Sequence, residues 1–173
     1  MDFDSDFLKD RYDYELRRRE ELTGALSMPV GVLTVLGGAT TAMARSFSYR
    51  DPPLTWAFGI LLGFAVVAFV VSMVRLARAY HPQKYMYLPL LGAIKKSKEE
   101  FLDFAKFMAE GEGEVLDEFE RQFDEHIIDA ADRNTRNNDY RSDQLHLARL
   151  ALFWVLTLTA LLVIPYVVDQ VRY

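Results

Sequence analysis

The chain has 173 residues, a formal charge of −5, and 51% hydrophobic beside 26% charged residues. It contains no cysteine, which excludes a disulfide framework, a thiol nucleophile and a cysteine-based metal site. The acidic balance argues against nucleic-acid binding by bulk charge and leaves room only for a local basic site.

Residues 1–24 predict a cytoplasmic N-terminal helix. In "SDFLKDRYDYELRRREEL", Ser5 stands at a capping position and Leu8, Tyr12 and Leu16 recur at every fourth residue. The helix is expected to run on into the first apolar stretch, with Pro29 as a kink point in its early turns. Residues 25–44, 54–74 and 150–168 then carry no charge at all, each over about 20 positions, which makes about 30 Å of helix and matches the hydrocarbon core of a bilayer. Three transmembrane helices are the reading, since buried helices of a soluble bundle normally keep a polar stripe. The first run starts too far in, and lacks a small-x-small cleavage site, to be a removable signal peptide.

Lys and Arg in the flanks set the orientation. Lys9, Arg11, Arg17, Arg18 and Arg19 precede the first span, and Arg75, Arg78, Lys84, Lys95, Lys96 and Lys98 follow the second. The connection "RSFSYRDPP" has only Arg45 and Arg50, and the tail "DQVRY" only Arg172. The N-terminus is therefore expected in the cytoplasm and the C-terminus outside. Tyr49, Trp56, Tyr80, Tyr85, Tyr87, Trp154 and Tyr166 fall near the span ends, where aromatic rings favour the headgroup region.

Within the first span, Ser27, Gly31, Thr34, Gly38 and Thr41 are spaced four, three, four and three apart, and Arg45 continues the series. Such a face serves either tight helix packing or the lining of a hydrated pathway, because small residues let backbones approach and hydroxyls hydrogen-bond. In the second span Gly59 and Gly63 form a G-x-x-x-G pair, a packing signal that is frequent by chance. No Asp, Glu, Lys, Arg or His lies deep in any span, which argues against a proton relay or charge-coupled transporter.

Between the second and third spans, residues 81–145 predict a cytoplasmic helical region. "HPQKYMYLPLLGAI" reads as an irregular stretch on the inner membrane surface. "SKEEFLDFAKFMAE" has Ser97 and Glu100 at capping-box spacing and an apolar face of Phe101, Leu102, Phe104, Ala105 and Met108. "GEGE" at 111–114 is expected to break the helix, and Val115, Leu116, Phe119, Phe123, Ile127 and Ala130 mark a second amphipathic one.

"DRNTRNNDYRSD" at 132–143 reads as a polar turn ahead of the third span. Its residues Arg133, Asn134, Arg136, Asn137, Asn138, Tyr140 and Arg141 also form a candidate ligand set. Guanidinium and amide groups bind phosphate oxygens and base edges, and a tyrosine stacks on a base.

Catalytic motifs are missing. His126 and Asp129 share a face without a third ligand, and "GEGEVL" has no preceding strand or P-loop lysine. No enzyme, metal or cofactor is expected. The fold class is all-α, an integral membrane protein with three transmembrane helices and a cytoplasmic helical region, assembled as a homo-oligomer. Its parts are the N-terminal helix at 1–24, a transmembrane hairpin at 25–80, the cytoplasmic region at 81–145, and the third span with its tail at 146–173.

The lead "ELRRREELTGALSMPVGVL" into the first span, with a second span and a charged helical segment behind it, resembles small multi-span membrane effectors of bacterial anti-phage defence, of the SLATT or Hailong type. The third span near the C-terminus departs from a two-span SLATT pattern. The resemblance implies a channel or pore in the bacterial inner membrane, controlled by a nucleotide or oligonucleotide made by a nucleotidyltransferase encoded nearby. It transfers no ligand residue. The other reading is a membrane-anchored adaptor or regulator that recruits a cytoplasmic protein through its amphipathic helices.

Overall fold

The computed structural model describes residues 5–81, 83–108 and 112–172; of these, the side chains of residues 5, 91, 104–108 and 112 lie outside the description. Every regular element among the described residues is an α-helix: α1 Ser5–Gly24, α2 Ser27–Ser46, α3 Pro52–Tyr80, α4 Leu91–Met108 and α5 Glu112–Arg172. Three helical stretches, at 6–46, 52–80 and 113–172, are long and apolar enough to cross a membrane. The chain divides into two compact units. Unit 1 comprises 1–20 and 83–139, and unit 2 comprises 21–82 and 140–173.

Unit 2 gathers the apolar helices. The pair Pro52 and Pro53 opens α3, where their missing N–H groups have no intrahelical partner to lose. One core cluster joins Leu26, Leu33, Leu76, Ala79, Leu145, Ala148 and Val155. A second joins Met43, Phe47, Phe58, Ala65 and Leu162, with Phe47 stacked on Phe58 at 4.2 Å. Buried polar contacts stitch the helices together: the Ser72 hydroxyl donates to the Ala148 carbonyl at 3.1 Å, and the Thr40 and Thr159 hydroxyls meet at 3.4 Å.

The loop between α2 and α3 is tied to the last turns of α5. Asp169, only 1% exposed, accepts the Ser48 backbone N–H at 2.8 Å and the Ser48 hydroxyl as well. Tyr49 takes a left-handed backbone with φ of 55°, steadied by its hydroxyl on the Ala44 carbonyl and its ring against Phe47. Removing the buried carboxylate leaves two half-buried Ser48 donors without it, so Asp169→Ala is expected to cost unit 2 about 1–2 kcal/mol. The two tryptophans, Trp56 and Trp154, both lie in this unit, so thermal unfolding followed by their fluorescence checks it.

In unit 1 the stripe Leu8, Tyr12 and Leu16 of α1 packs on Ile127, Ala130 and Ala131 of α5, and Met86 and Leu88 of the connection join the same core. Glu15 is wholly buried, with Arg11 at 2.9 Å and Arg18 at 3.6 Å. Arg18 also reaches Asp139 at 2.8 Å. Partial burial opposes the Arg18 charge, but the hydrogen bond and charge of Asp139 outweigh it and raise its pKa.

The structure corrects two of the sequence expectations and refines two others. The first helix leads into the first span through a two-residue break just ahead of Pro29, within one helical stretch at 6–46. It ends at Gly24, and α2 starts at Ser27. Pro29 sits buried in the first turn of α2, where it can give no N–H to Ala25 and crowds that carbonyl, so the break falls upstream of the proline.

The helix expected to start at Ser97 begins at Leu91, just after Pro89, with the Leu90 carbonyl accepting the N–H groups of Ala93 and Ile94. Glu100 consequently pairs with Lys96 at 3.5 Å instead of closing a capping box.

The supposed polar turn at 132–143 is helix throughout, since α5 is continuous over 61 residues. Finally, 83–90 is irregular as expected, but α1 and α5 hold it by its backbone. The expected break at "GEGE" involves Gly111, which lies outside the described residues, while Gly113 is inside α5. Phe104, Ala105 and Met108 of the α4 apolar face also lie outside the described side chains.

Candidate functional site

Two sets of residues come forward, one on α2 and one on α5. On α2 the packed side consists of Pro29, Leu33, Met43 and, with partial burial, Leu36 and Thr40. At 100° per residue, Ser27, Gly31, Thr34, Gly38, Thr41 and Arg45 fall on the opposite side of the helix. All six are exposed. A Cβ added at Gly31 or Gly38 would meet nothing within 4 Å, whereas one at the neighbouring Gly37 would come within 3.2 Å of the Phe69 ring. The small-residue stripe is therefore not what binds α2 to its own protomer.

Its hydroxyls are satisfied locally: Ser27 donates to the Gly24 carbonyl at 2.8 Å, Thr34 to Val30 at 2.9 Å and Thr41 to Gly37 at 2.8 Å. Their lone pairs remain open outward. Beside the stripe, a cavity of about 350 Å³ lies between α2 and α3, lined by Gly37, Thr40, Thr41, Ala65 and Phe69 among others. Gly59 and Gly63 of α3 are exposed too, with nothing within 4 Å of a Cβ at either. Like the stripe, they take no part in packing within the protomer.

The polar series of α5 divides between the units, whose boundary falls between Asp139 and Tyr140. In unit 1, Asn134 and Asn138 are fully buried one turn apart. Asn134 holds the main chain of Met86 at both ends, accepting its N–H at 2.9 Å and donating to its carbonyl at 3.0 Å. Asn137 donates to the Lys84 carbonyl at 3.0 Å, and Tyr12 accepts the Leu88 N–H at 3.1 Å. Asn138 accepts the Tyr85 hydroxyl at 2.7 Å and donates to the Glu15 carbonyl and carboxylate at 2.8 and 2.9 Å. Arg19 completes the clasp, with its guanidinium 4.7 Å from the Tyr85 ring centroid and 2.6 Å from the Tyr87 hydroxyl.

Asn134 and Asn138 are thus committed to protein partners, and Arg133 and Arg136 are the exposed cations of the series in this unit. In unit 2, Tyr140 is exposed while Arg141, 6% exposed, donates to the Ala79 carbonyl at 2.9 Å and the Thr23 hydroxyl at 3.0 Å. Arg141 meets a carbonyl in the last turn of α3, where the helix carries partial negative charge. Arg75 bonds the Gln144 side chain at 3.0 Å in the same unit. Among the described residues there is no cluster of three groups able to hold a metal ion.

Three elements of this geometry were not read from the sequence: the backbone clasp on 84–88, the anchoring of Ser48 by Asp169, and the outward aim of both glycine motifs. The clasp had one usable signal, the i, i+4 pair Asn134 and Asn138 on the same face as Ile127 and Ala131.

On the surface of α5, Arg121 ties Glu118 and Glu125 together, at 2.7 and 2.6 Å. Hydrogen bonds from Arg121, then from Gln122, hold the Glu118 carboxyl down at about 2. Because this pKa is depressed, whatever the group adds to stability is present at neutral pH and is lost as pH falls from the ordinary carboxylate range through about 2. A pH titration of Glu118→Gln against the parent is expected to converge at the acid end; side-chain carboxyl NMR checks the midpoint.

No family model, curated protein or solved structure matches the chain.

Proposed function

We propose that the chain forms an oligomeric channel or pore in the bacterial inner membrane, as an effector of anti-phage defence. The N-terminus and unit 1 lie in the cytoplasm, where a nucleotide or oligonucleotide signal, or a partner protein, controls opening. The observation that carries this reading is the outward stripe of α2. Six small or polar positions in an apolar helix are exposed, on the side of α2 opposite its packed residues. In hydrocarbon such a surface gains most by meeting another protein surface or water, because glycines allow close backbone approach and hydroxyl lone pairs accept from what faces them. A subunit that packed these residues internally would have no such surface to offer.

The adaptor reading draws less support. One of its amphipathic faces, the α1 stripe, is already covered by α5 within unit 1. The deciding experiment is ion conductance of the purified protein in proteoliposomes, with and without cyclic and linear nucleotides. Ligand-sensitive current supports the channel. Inserted, assembled protein that passes no current under any of these conditions sinks it.

A further inference from the structure

Unit 1 contains a cleft of about 220 Å³ between α4 and α5 that neither the clasp nor the membrane stripe uses. Its walls include three half-buried rings, Phe101, Phe119 and Phe123, and its rim carries Ser97, Gln122 and His126, all exposed. Phe101 and Phe119 stand edge to face with an interplanar angle of 71°, so they do not close on each other as a stacked pair.

The rim groups are uncommitted toward the cleft. Gln122 gives its amide N–H to Glu118 at 2.7 Å, which leaves its carbonyl oxygen as an acceptor. The Ser97 hydroxyl and the His126 imidazole have no hydrogen-bond partner among the described residues. Together they offer an acceptor, a hydroxyl that can serve either way, and a ring with one donor and one acceptor nitrogen when neutral.

We propose that this cleft binds a neutral planar heteroaromatic ring, of one or two fused rings, whose faces pack on the phenylalanines and whose edge is read by Ser97, Gln122 and His126. Size sets the first limit. At about 220 Å³ the space falls below the roughly 300–1,000 Å³ of pockets for drug-sized ligands and suits a single ring system. Aromatic walls favour a π-face, and mixed donors and acceptors favour a ring edge that carries both.

Charge sets the second limit. Glu118 and Glu125 flank Gln122 on the helix with Arg121 alone to balance them, and Glu118 stays ionised throughout the neutral range. This local excess of negative charge opposes a phosphate on the ligand. The inference does not depend on ion conduction, so either reading can fail without the other.

The test uses the full chain in nanodiscs, with the four ribonucleosides, indole and adenosine 5′-monophosphate as probes in calorimetric titrations and saturation-transfer NMR. At least one nucleoside is expected to bind saturably, with indole and the monophosphate weaker by about fivefold or more, the scale of one lost hydrogen bond or one repelled charge. The exposed pair Ser97→Ala and His126→Leu is expected to bring the nucleoside down to the level of indole, with helix content unchanged. Phe119→Leu is expected to weaken every ring probe. The proposal is overturned if no nucleoside binds, if indole binds as well as the nucleosides, if the monophosphate binds more tightly, or if the rim variants leave affinity unchanged.

Discussion

Gly38→Leu is expected to cut ion flux on the order of tenfold or more while leaving the protomer as stable as the parent, because a selective pathway or a close helix contact has no room for a new isobutyl group. The protomer itself has room: nothing lies within 4 Å of a Cβ at Gly38, and leucine is a better helix former than glycine. Gly37→Leu supplies the internal comparison. One residue away, the same change drives into the Phe69 ring, which a Cβ alone would approach to 3.2 Å, and overpacking of this kind costs about 1–3 kcal/mol. Thus position 37 is expected to lower the melting temperature, and position 38 is expected to lower flux or disturb the oligomer. Conductance, native mass spectrometry in detergent and tryptophan-detected melting read the three outcomes. Equal flux and equal assembly for Gly38→Leu and the parent would mean that the stripe faces lipid and would remove the main support for a pore there.

What could be read from the sequence, and what could not, divides along the range of the interactions involved. The apolar helices were visible because their signal is local: an uncharged run of about 20 residues has few other uses. The α1 and α5 stripes of unit 1 were visible for the same reason, since Leu8 and Tyr12 or Phe123 and Ile127 announce a face without naming its partner.

Asn134, Asn137 and Asn138 misled because asparagine usually competes with helix by bonding nearby backbone. Here Asn134 and Asn137 bond backbone 48 and 53 positions away, and Asn138 bonds the Tyr85 hydroxyl 53 positions away and the Glu15 carbonyl 123 positions away. Their side chains are thereby removed from local competition, and the helix persists through a stretch whose composition reads as a turn. The direction of the α2 stripe was hidden for a related reason. Spacing shows that six residues share a face, but only the positions of Leu33, Met43 and Phe69 show which face the protomer has already used.

Asn138→Asp tests the buried end of that network with almost no change of shape. The side-chain nitrogen that donates to both Glu15 oxygens is replaced by an acceptor, so two carboxylates and a carbonyl confront one another with no donor between them. Arg11 and Arg18 are already engaged with Glu15, and Arg18 is shared with Asp139. Loss of two buried hydrogen bonds together with an unpaired buried charge is expected to cost unit 1 about 3–5 kcal/mol. Asn138→Ala, which removes the bonds without adding charge, is expected to cost about 2–3 kcal/mol.

The two variants separate further with pH. In Asn138→Asp, protonating one carboxyl restores a donor between the oxygens, so stability is expected to recover as pH falls through the carboxylate range. The Glu118 pair behaves oppositely, since its depressed pKa makes it weaken in acid. The local readout is amide exchange at Met86 and Leu88, whose N–H groups end on Asn134 and Tyr12 in the same core. Parent-like protection of both amides in Asn138→Asp at pH 7 would show that the buried asparagine does not hold the 84–88 segment in place.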